Sequence, residues 1–362
     1  MRTENEPRVV QRAEAAPVVP DEPHYRRGEQ ARRWGALLLV VGVVWLVFAL
    51  AARGSLAPFG FAERSQPIPP QSFRAERVVI SGVGDRVELV SSRGDEVRVE
   101  GEKHGFGWSG GAATESLERL QVIVTEQGDT LAIEVRRPSF SGIGRSPYAE
   151  LRVALPAGVA AEATLVSGDV RAEAVQGDLR LTTVSGAVDA QDTAGSLTVR
   201  TTSGDVQLAE HRGALDVETT SGDIAAGGAL ERTHVSTISG DVRLDGTSGP
   251  VEARSISGDL SVREARDSSL KVESTSGDVA FEGALADGAP SAISNISGDV
   301  ELRLSRPNDL RLDLSTLSGD LRADLPLRDV AQDRRSLRGS LGAGATAVSV
   351  STTSGDITVS GE

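Results

Sequence analysis

A chain of 362 residues without a single cysteine can carry neither a disulfide nor a thiolate metal centre. Its formal charge of −14 argues against nucleic acid as a partner. Aromatic residues make up only 3% of it, which suits a thin core of Val, Leu and Ala better than a thick globular one.

Residues 1–33 are polar and rich in Pro, Glu and Arg, the composition of a disordered tail. Segment 34–52 reverses this. From Gly35 to Ala52 no charge occurs for 18 residues, long enough for a membrane-spanning helix. Arg26, Arg27, Arg32 and Arg33 precede it and Arg53 follows. That asymmetry puts the N-terminus in the cytoplasm and everything after residue 52 outside it. Ala49-Leu-Ala51 also has the small-x-small form of a signal-peptide cleavage site, an alternative that the long leader and the long apolar run disfavour. The expected setting is therefore the plasma membrane, with the lipid bilayer as partner of residues 34–52. Residues 53–72 hold Pro58, Pro67, Pro69 and Pro70 and read as a stiff linker.

From Phe73 onward, apolar and polar residues alternate, as in Arg86-Val-Glu-Leu-Val90 and Thr130-Leu-Ala-Ile-Glu-Val135. These are strand patterns without a fixed repeat length, so 73–160 is expected to be an irregular β cap. Residues 161–362 are different. Ser-Gly-Asp, with Ala187 once in place of Asp, starts at Ser167, Ser185, Ser203, Ser221, Ser239 and Ser257, always 18 residues apart. It returns at Ser276, Ser297, Ser318 and Ser354. A fixed period of this size marks one supersecondary unit stacked on copies of itself.

The columns around each Ser define that unit. Three residues on stand Val170, Val188, Val206, Ile224, Val242, Leu260, Val279, Val300, Leu321 and Ile357. Four before stand Ala163, Leu181, Val199, Val217, Val235, Ala253, Val272, Ile293, Leu314 and Val350. Apolar residues alternate with polar ones on both sides of the turn, so each unit holds two strands of about five residues with one buried face. Gly in the Ser-Gly-Asp turn can take the positive φ that other residues resist. Gly177, Gly195, Gly213 and Gly249 mark a second, looser turn. The expected fold is all-β: a β-solenoid of about eleven 18-residue coils, with a large β-sandwich or a propeller as the competing architectures. Residues 322–349 break the pattern as an insertion or distorted last rung with Arg334 and Arg335 exposed, before 353–359 restore it.

Two polar columns are also regular. Thr183, Thr201, Thr219, Thr237, Ser255, Ser274, Thr316 and Thr352 stand two before each Ser, where stacked hydroxyls can bond along the ladder. Asp169, Asp205, Asp223, Asp241, Asp259, Asp278, Asp299, Asp320 and Asp356 are expected to bond backbone N–H groups two residues on, as Asp does in turns. Like charges stacked near 5 Å repel by about 0.8 kcal/mol in water, so a cation along this edge is the competing expectation.

Motifs for chemistry are weak. Gly105-Phe-Gly107-Trp-Ser-Gly110 has dinucleotide-loop spacing but no alternating βαβ pattern around it, and reads as a hairpin loop. Arg93-Gly-Asp95 falls at a hairpin turn in a chain rich in all three residues. His24, His104, His211 and His234 form no pair at ligand spacing. Outward positions such as Arg180, Asp216, His234, Glu252, Lys271 and Asp313 read as a mixed solvated face. No catalytic, cofactor-binding or metal-ligating residue is expected, and no cofactor.

The run Leu151-Arg-Val-Ala-Leu-Pro-Ala-Gly158, then Val166-Ser-Gly-Asp-Val170, the recurrent Thr-x-Ser-Gly-Asp and the closing Thr352-Thr-Ser-Gly-Asp-Ile-Thr-Val359 carry a resemblance. Over roughly residues 75–362 the chain resembles a bacterial family of candidate adhesins, envelope proteins built from β-strand repeats. The resemblance implies a β-solenoid behind a single membrane anchor and brings no catalytic residues with it. It implies a non-enzymatic surface for adhesion or for binding a cell-wall polymer or envelope protein. Because some relatives sit beside envelope-stress signalling systems, it also implies a regulatory alternative that acts through a membrane partner.

Overall fold

The computed structural model describes residues 62–137 and 146–361. The segment 34–52 lies outside them, and no helix among the described residues is long and apolar enough to cross a membrane. Among the described residues every regular element is a strand except the helix Gly110–Arg119.

The repeat folds as its columns dictate. Strands one period apart pair in parallel and in register, with Leu179 beside Leu197, Leu197 beside Leu215, and Val188 beside Val206. Val lies on Val and Leu on Leu because a slip of one residue would turn every apolar side chain outward. Val199, Val206, Val217, Ile224, Val235 and Val242 are fully enclosed. Each such side chain contributes about 1.5–3 kcal/mol by leaving water. The result is a β-solenoid-like stack in which each level holds one strand before the Ser-Gly-Asp turn and one after it.

Short separate strands occur only in part of the stack. Leu179–Thr182, Val188–Gln191 and Leu197–Arg200 match the expected pieces. At three levels in the middle the second turn is absorbed, and Val206–Ser221, Ile224–Ser239 and Leu260–Ser276 run as single bent strands, while the level between the last two keeps its break, Val242–Thr247 and Pro250–Ser257, at the expected Gly249. Their pairing slips at the corner, between Leu208 and His211 and between Gly213 and Ala214. A bulge lets a strand turn a corner without leaving its ladder.

Both ends depart from chain order. Arg77–Ser81 lies between Thr130–Arg136 and Ala160–Thr164, while Arg86–Ser91 lies between Tyr148–Leu155 and Val170–Glu173. The cap expected over 73–160 thus contains a true level of the stack, one place in from the end. The other end mirrors this. Thr346–Ser354 inserts between Ser291–Ser297 and Leu310–Ser318, and Ile357–Gly361 inserts between Val300–Leu304 and Leu321–Asp324. The final residues of the chain therefore form an internal level. The irregular 322–349 supplies an antiparallel cap, Ser336–Leu341 on Leu310–Ser318 with Arg328–Gln332 outside it; Arg334 and Arg335 are exposed at its turn.

Two sequence expectations need correction. Ala62–Phe73, all but its last residue in the expected linker, is an edge strand antiparallel to Val97–Gly107, with its register broken between Ile68 and Gln71. Pro69 and Pro70 fall at that break, and an edge strand tolerates residues that donate no ladder hydrogen bond. Gly105 and Gly107 belong to no hairpin loop. They end a strand against which the helix packs, and a Cβ at Gly105 would meet Leu117 Cβ at 2.7 Å. Ser109 caps that helix by accepting a hydrogen bond from the Ala112 N–H at 3.2 Å. The strand after it runs antiparallel to its neighbour, so no nucleotide-binding βαβ unit exists here.

Candidate functional site: the Ser-Gly-Asp edge

The ten turns and the matching turn at Val83 line up along one edge of the stack. The residue before each Ser points outward, in the spatial order Val83, Val166, Val184, Thr202, Thr220, Ile238, Ile256, Thr275, Ile296, Thr353, Leu317. Backbone bonds join its first members: Val184 N–H donates to Val166 O at 3.2 Å and Thr202 N–H to Val184 O at 3.3 Å. The apolar members stand about half exposed, from 45% at Val83 to 57% at Leu317. Single exposed apolar residues are ordinary, but eleven β-branched or leucine side chains in file make a continuous ridge. The Ser column runs beside it, also exposed.

The Asp column explains how the edge is held. Each carboxylate before the last, Asp320, bonds the next level rather than a residue two positions on. Asp205 Oδ1 accepts from Asp223 N–H at 3.1 Å, Asp223 from Asp241 at 2.9 Å, and Asp241 from Asp259 at 3.0 Å. The series continues through Asp278, Asp299 and Asp356 to Asp320, in the spatial order of the inserted level. Charge-assisted bonds of this kind are roughly twice as strong as neutral ones. The ladder is a backbone tie, and it leaves each second oxygen facing outward. Some of those are paired, as Asp241 Oδ2 with Arg243 at 3.2 Å. At the first end the Asp column stops: Arg86 aligns with Asp169, and Asp85 stands in the glycine file, fully buried, bonded to Ala149 N–H at 2.9 Å and paired with Arg137 at 2.5 Å.

Glycine is required for two different reasons along this edge. At Gly240, Gly258, Gly277, Gly298, Gly319 and Gly355 the φ angle lies between +121° and +151°. Gly186 and Gly204 have no such angle, yet a Cβ at either would overlap the carbonyl oxygen of the preceding level's glycine. Close approach between levels is thus the general demand, and backbone conformation the additional one. The hydroxyl column is turned inward, and does not bond hydroxyl to hydroxyl. Thr183 donates to Gly168 O and Thr316 to Gly355 O, each at 3.2 Å, while Asn295 Nδ2 donates to Gly277 O at 3.0 Å.

The histidines are dispersed. His24 lies outside the described residues. His104 stacks on Tyr148 with ring centroids 4.7 Å apart. His211 is buried at a corner. Its Nε2–H donates to Ala214 O at 3.3 Å, which leaves Nδ1 to accept from the Thr193 hydroxyl at 2.9 Å. Burial pushes this imidazole below the usual histidine range, so it stays neutral inside the stack. His234 sits on the outer face beside Asp216 and Glu218, an arrangement that reading one level at a time misses. Arg93-Gly-Asp95 occupies an exposed bend between two strands.

No protein of curated function matches the chain. Among solved structures it is similar to a candidate adhesin from Bacteroides fragilis, at 12% identity and TM-score 0.31 over 83% of this chain and 97% of that one. A candidate cell adhesion protein from Clostridium sporogenes aligns at 10% identity and TM-score 0.20, over 84% and 100%. A candidate lipid binding protein from Parabacteroides distasonis aligns at 10% and 0.27, over 82% and 96%. Residues 78–284 and 285–360 match the Toastrack DUF4097 family model, and with most of its length so covered the chain belongs to that family.

Proposed function

We propose that this protein is a non-enzymatic, membrane-anchored component of the cell envelope that presents its Ser-Gly-Asp edge as an extended binding surface for a wall polymer. The observation that carries this is the ridge itself, exposed from Val83 to Leu317 beside an exposed file of serines. A linear ligand lying along it would meet the same apolar or threonine, hydroxyl and carboxylate columns at most levels, roughly 4.8 Å apart. Many weak, equivalent contacts then add through proximity. The apolar segment 34–52 would hold the stack on the outer side of the plasma membrane.

The test is co-sedimentation of residues 62–361 with isolated wall and membrane fractions. Wild type is expected to bind wall polymer saturably, and an Ile238→Asp/Ile256→Asp ridge variant to bind at least about 10-fold more weakly while keeping its fold. Such a loss corresponds to about 1.4 kcal/mol. A ridge variant that binds like wild type would remove the edge from the account. Failure of wild type to bind either fraction would favour a regulatory role through a membrane partner.

A further inference from the structure

On the outer face of the strands that precede the turns, Asp216 is the direct register partner of His234 on the next level. Glu218, two residues beyond Asp216, faces the same way by the period of the strand. One ligand atom from each of the three lies within 4.8 Å of the others. Both flanks are braced: Arg200 Nε donates to Glu218 Oε2 at 2.9 Å, and Glu252 Oε2 lies 3.7 Å from His234 Nδ1. One atom is left over. Asp216 Oδ1 is shut off from solvent and accepts no hydrogen bond from any described residue. A carboxylate oxygen that has lost its water and gained no donor is costly, and a cation is the partner that would satisfy it.

We propose that Asp216, Glu218 and His234 form a binding site for a divalent transition metal, of which Zn²⁺ suits the ligands best. The imidazole nitrogen is a borderline donor that calcium and magnesium rarely take, and zinc accepts carboxylate oxygens beside it, which favours zinc over either. All three stand on paired strands inside the stack, so binding needs little rearrangement. Glu252 stands on the Nδ1 side of the ring at 3.7 Å and would close to a hydrogen bond as Nε2 takes the metal, the arrangement by which an outer carboxylate tunes a histidine ligand. Arg200 keeps its bond to Glu218, since a carboxylate has lone pairs for both guanidinium and metal. Three protein ligands leave a coordination position open to an anionic group from outside.

The experiment is calorimetric titration of the untagged full chain in detergent with Zn²⁺, with Ca²⁺ and Mg²⁺ as comparisons. Wild type is expected to bind one Zn²⁺ per chain and neither other ion with similar affinity. His234→Ala and Asp216→Asn should each weaken binding at least about 10-fold, and Glu252→Gln about 10-fold through ring orientation. All three side chains are partly exposed, so without metal the His234→Ala and Glu252→Gln proteins should melt close to wild type and Asp216→Asn, which removes an unsatisfied charge, no lower than wild type, separating lost ligands from lost fold. Co²⁺ in place of Zn²⁺ gives a second readout: a visible ligand-field spectrum that changes in His234→Ala. Absence of Zn²⁺ binding by wild type, or binding and a Co²⁺ spectrum unchanged in His234→Ala, would overturn the proposal.

Discussion

Gly258→Ala is expected to destabilise the folded chain by at least about 3 kcal/mol, measured as a fall in the urea midpoint at unchanged slope. Two penalties combine. The φ of +121° lies where side-chain-bearing residues are rarely found, and the added Cβ would overlap the carbonyl oxygen of Gly240 one level away. Relief would require the levels to part, which would break the bonds from Gly240 N–H to Ser257 O and from Asp259 N–H to Asp241 Oδ1. A Gly258→Ala protein within 1 kcal/mol of wild type, by the same measurement, would mean that the levels are not this close.

Ile357→Asp is expected to cost about 4 kcal/mol or more, although the residue stands near the end of the chain. In a stack assembled in chain order, such a residue would lie in a fraying last level and tolerate the change. Here it pairs with Val300 on one side and Leu321 on the other and is fully enclosed. The comparison is Ala331→Asp, in the wholly exposed cap strand Arg328–Gln332, which should stay within about 0.5 kcal/mol of wild type. Equal tolerance at the two positions, read by thermal or urea melts, would contradict the inserted arrangement.

Much of this architecture was visible in the residues. An 18-residue clock with apolar columns at fixed offsets specified strands, buried face and parallel register, and Val199 and Val217 lie where the alternation puts them. Order at the two ends was hidden for the same reason. Every level presents the same columns, so any level can stack on any other, and Ile357 fits beside Val300 as well as Leu321 does. The edge strand Ala62–Phe73 was masked by its prolines, which signal a linker unless a partner strand is known. The exposed ridge is hard to read in sequence because single exposed apolar residues are ordinary, and only the shared offset of Val166, Ile238 and Leu317 from the serine sets them in one file. The grouping of Asp216, Glu218 and His234 becomes legible when outward positions are compared across levels: Asp216 and His234 are one period apart and therefore neighbours. The Asp ladder, too, needed the distance between levels, which no single turn contains.

The ridge is continuous only if its edge is assembled partly out of chain order, and cross-linking tests this most directly. The chain has no cysteine, so two introduced thiols report alone. Ala292 is the register partner of Ser349, which in turn partners Asp313. Adjacent strands lie about 4.8 Å apart, within disulfide reach, whereas Ala292 and Asp313 are separated by two such steps, about 9.6 Å, which is beyond it. Under mild oxidation the Ala292→Cys/Ser349→Cys protein is predicted to close its disulfide, and the Ala292→Cys/Asp313→Cys protein to stay reduced. Closure of the second pair and not the first would show a stack built in simple chain order, with the final level at its end.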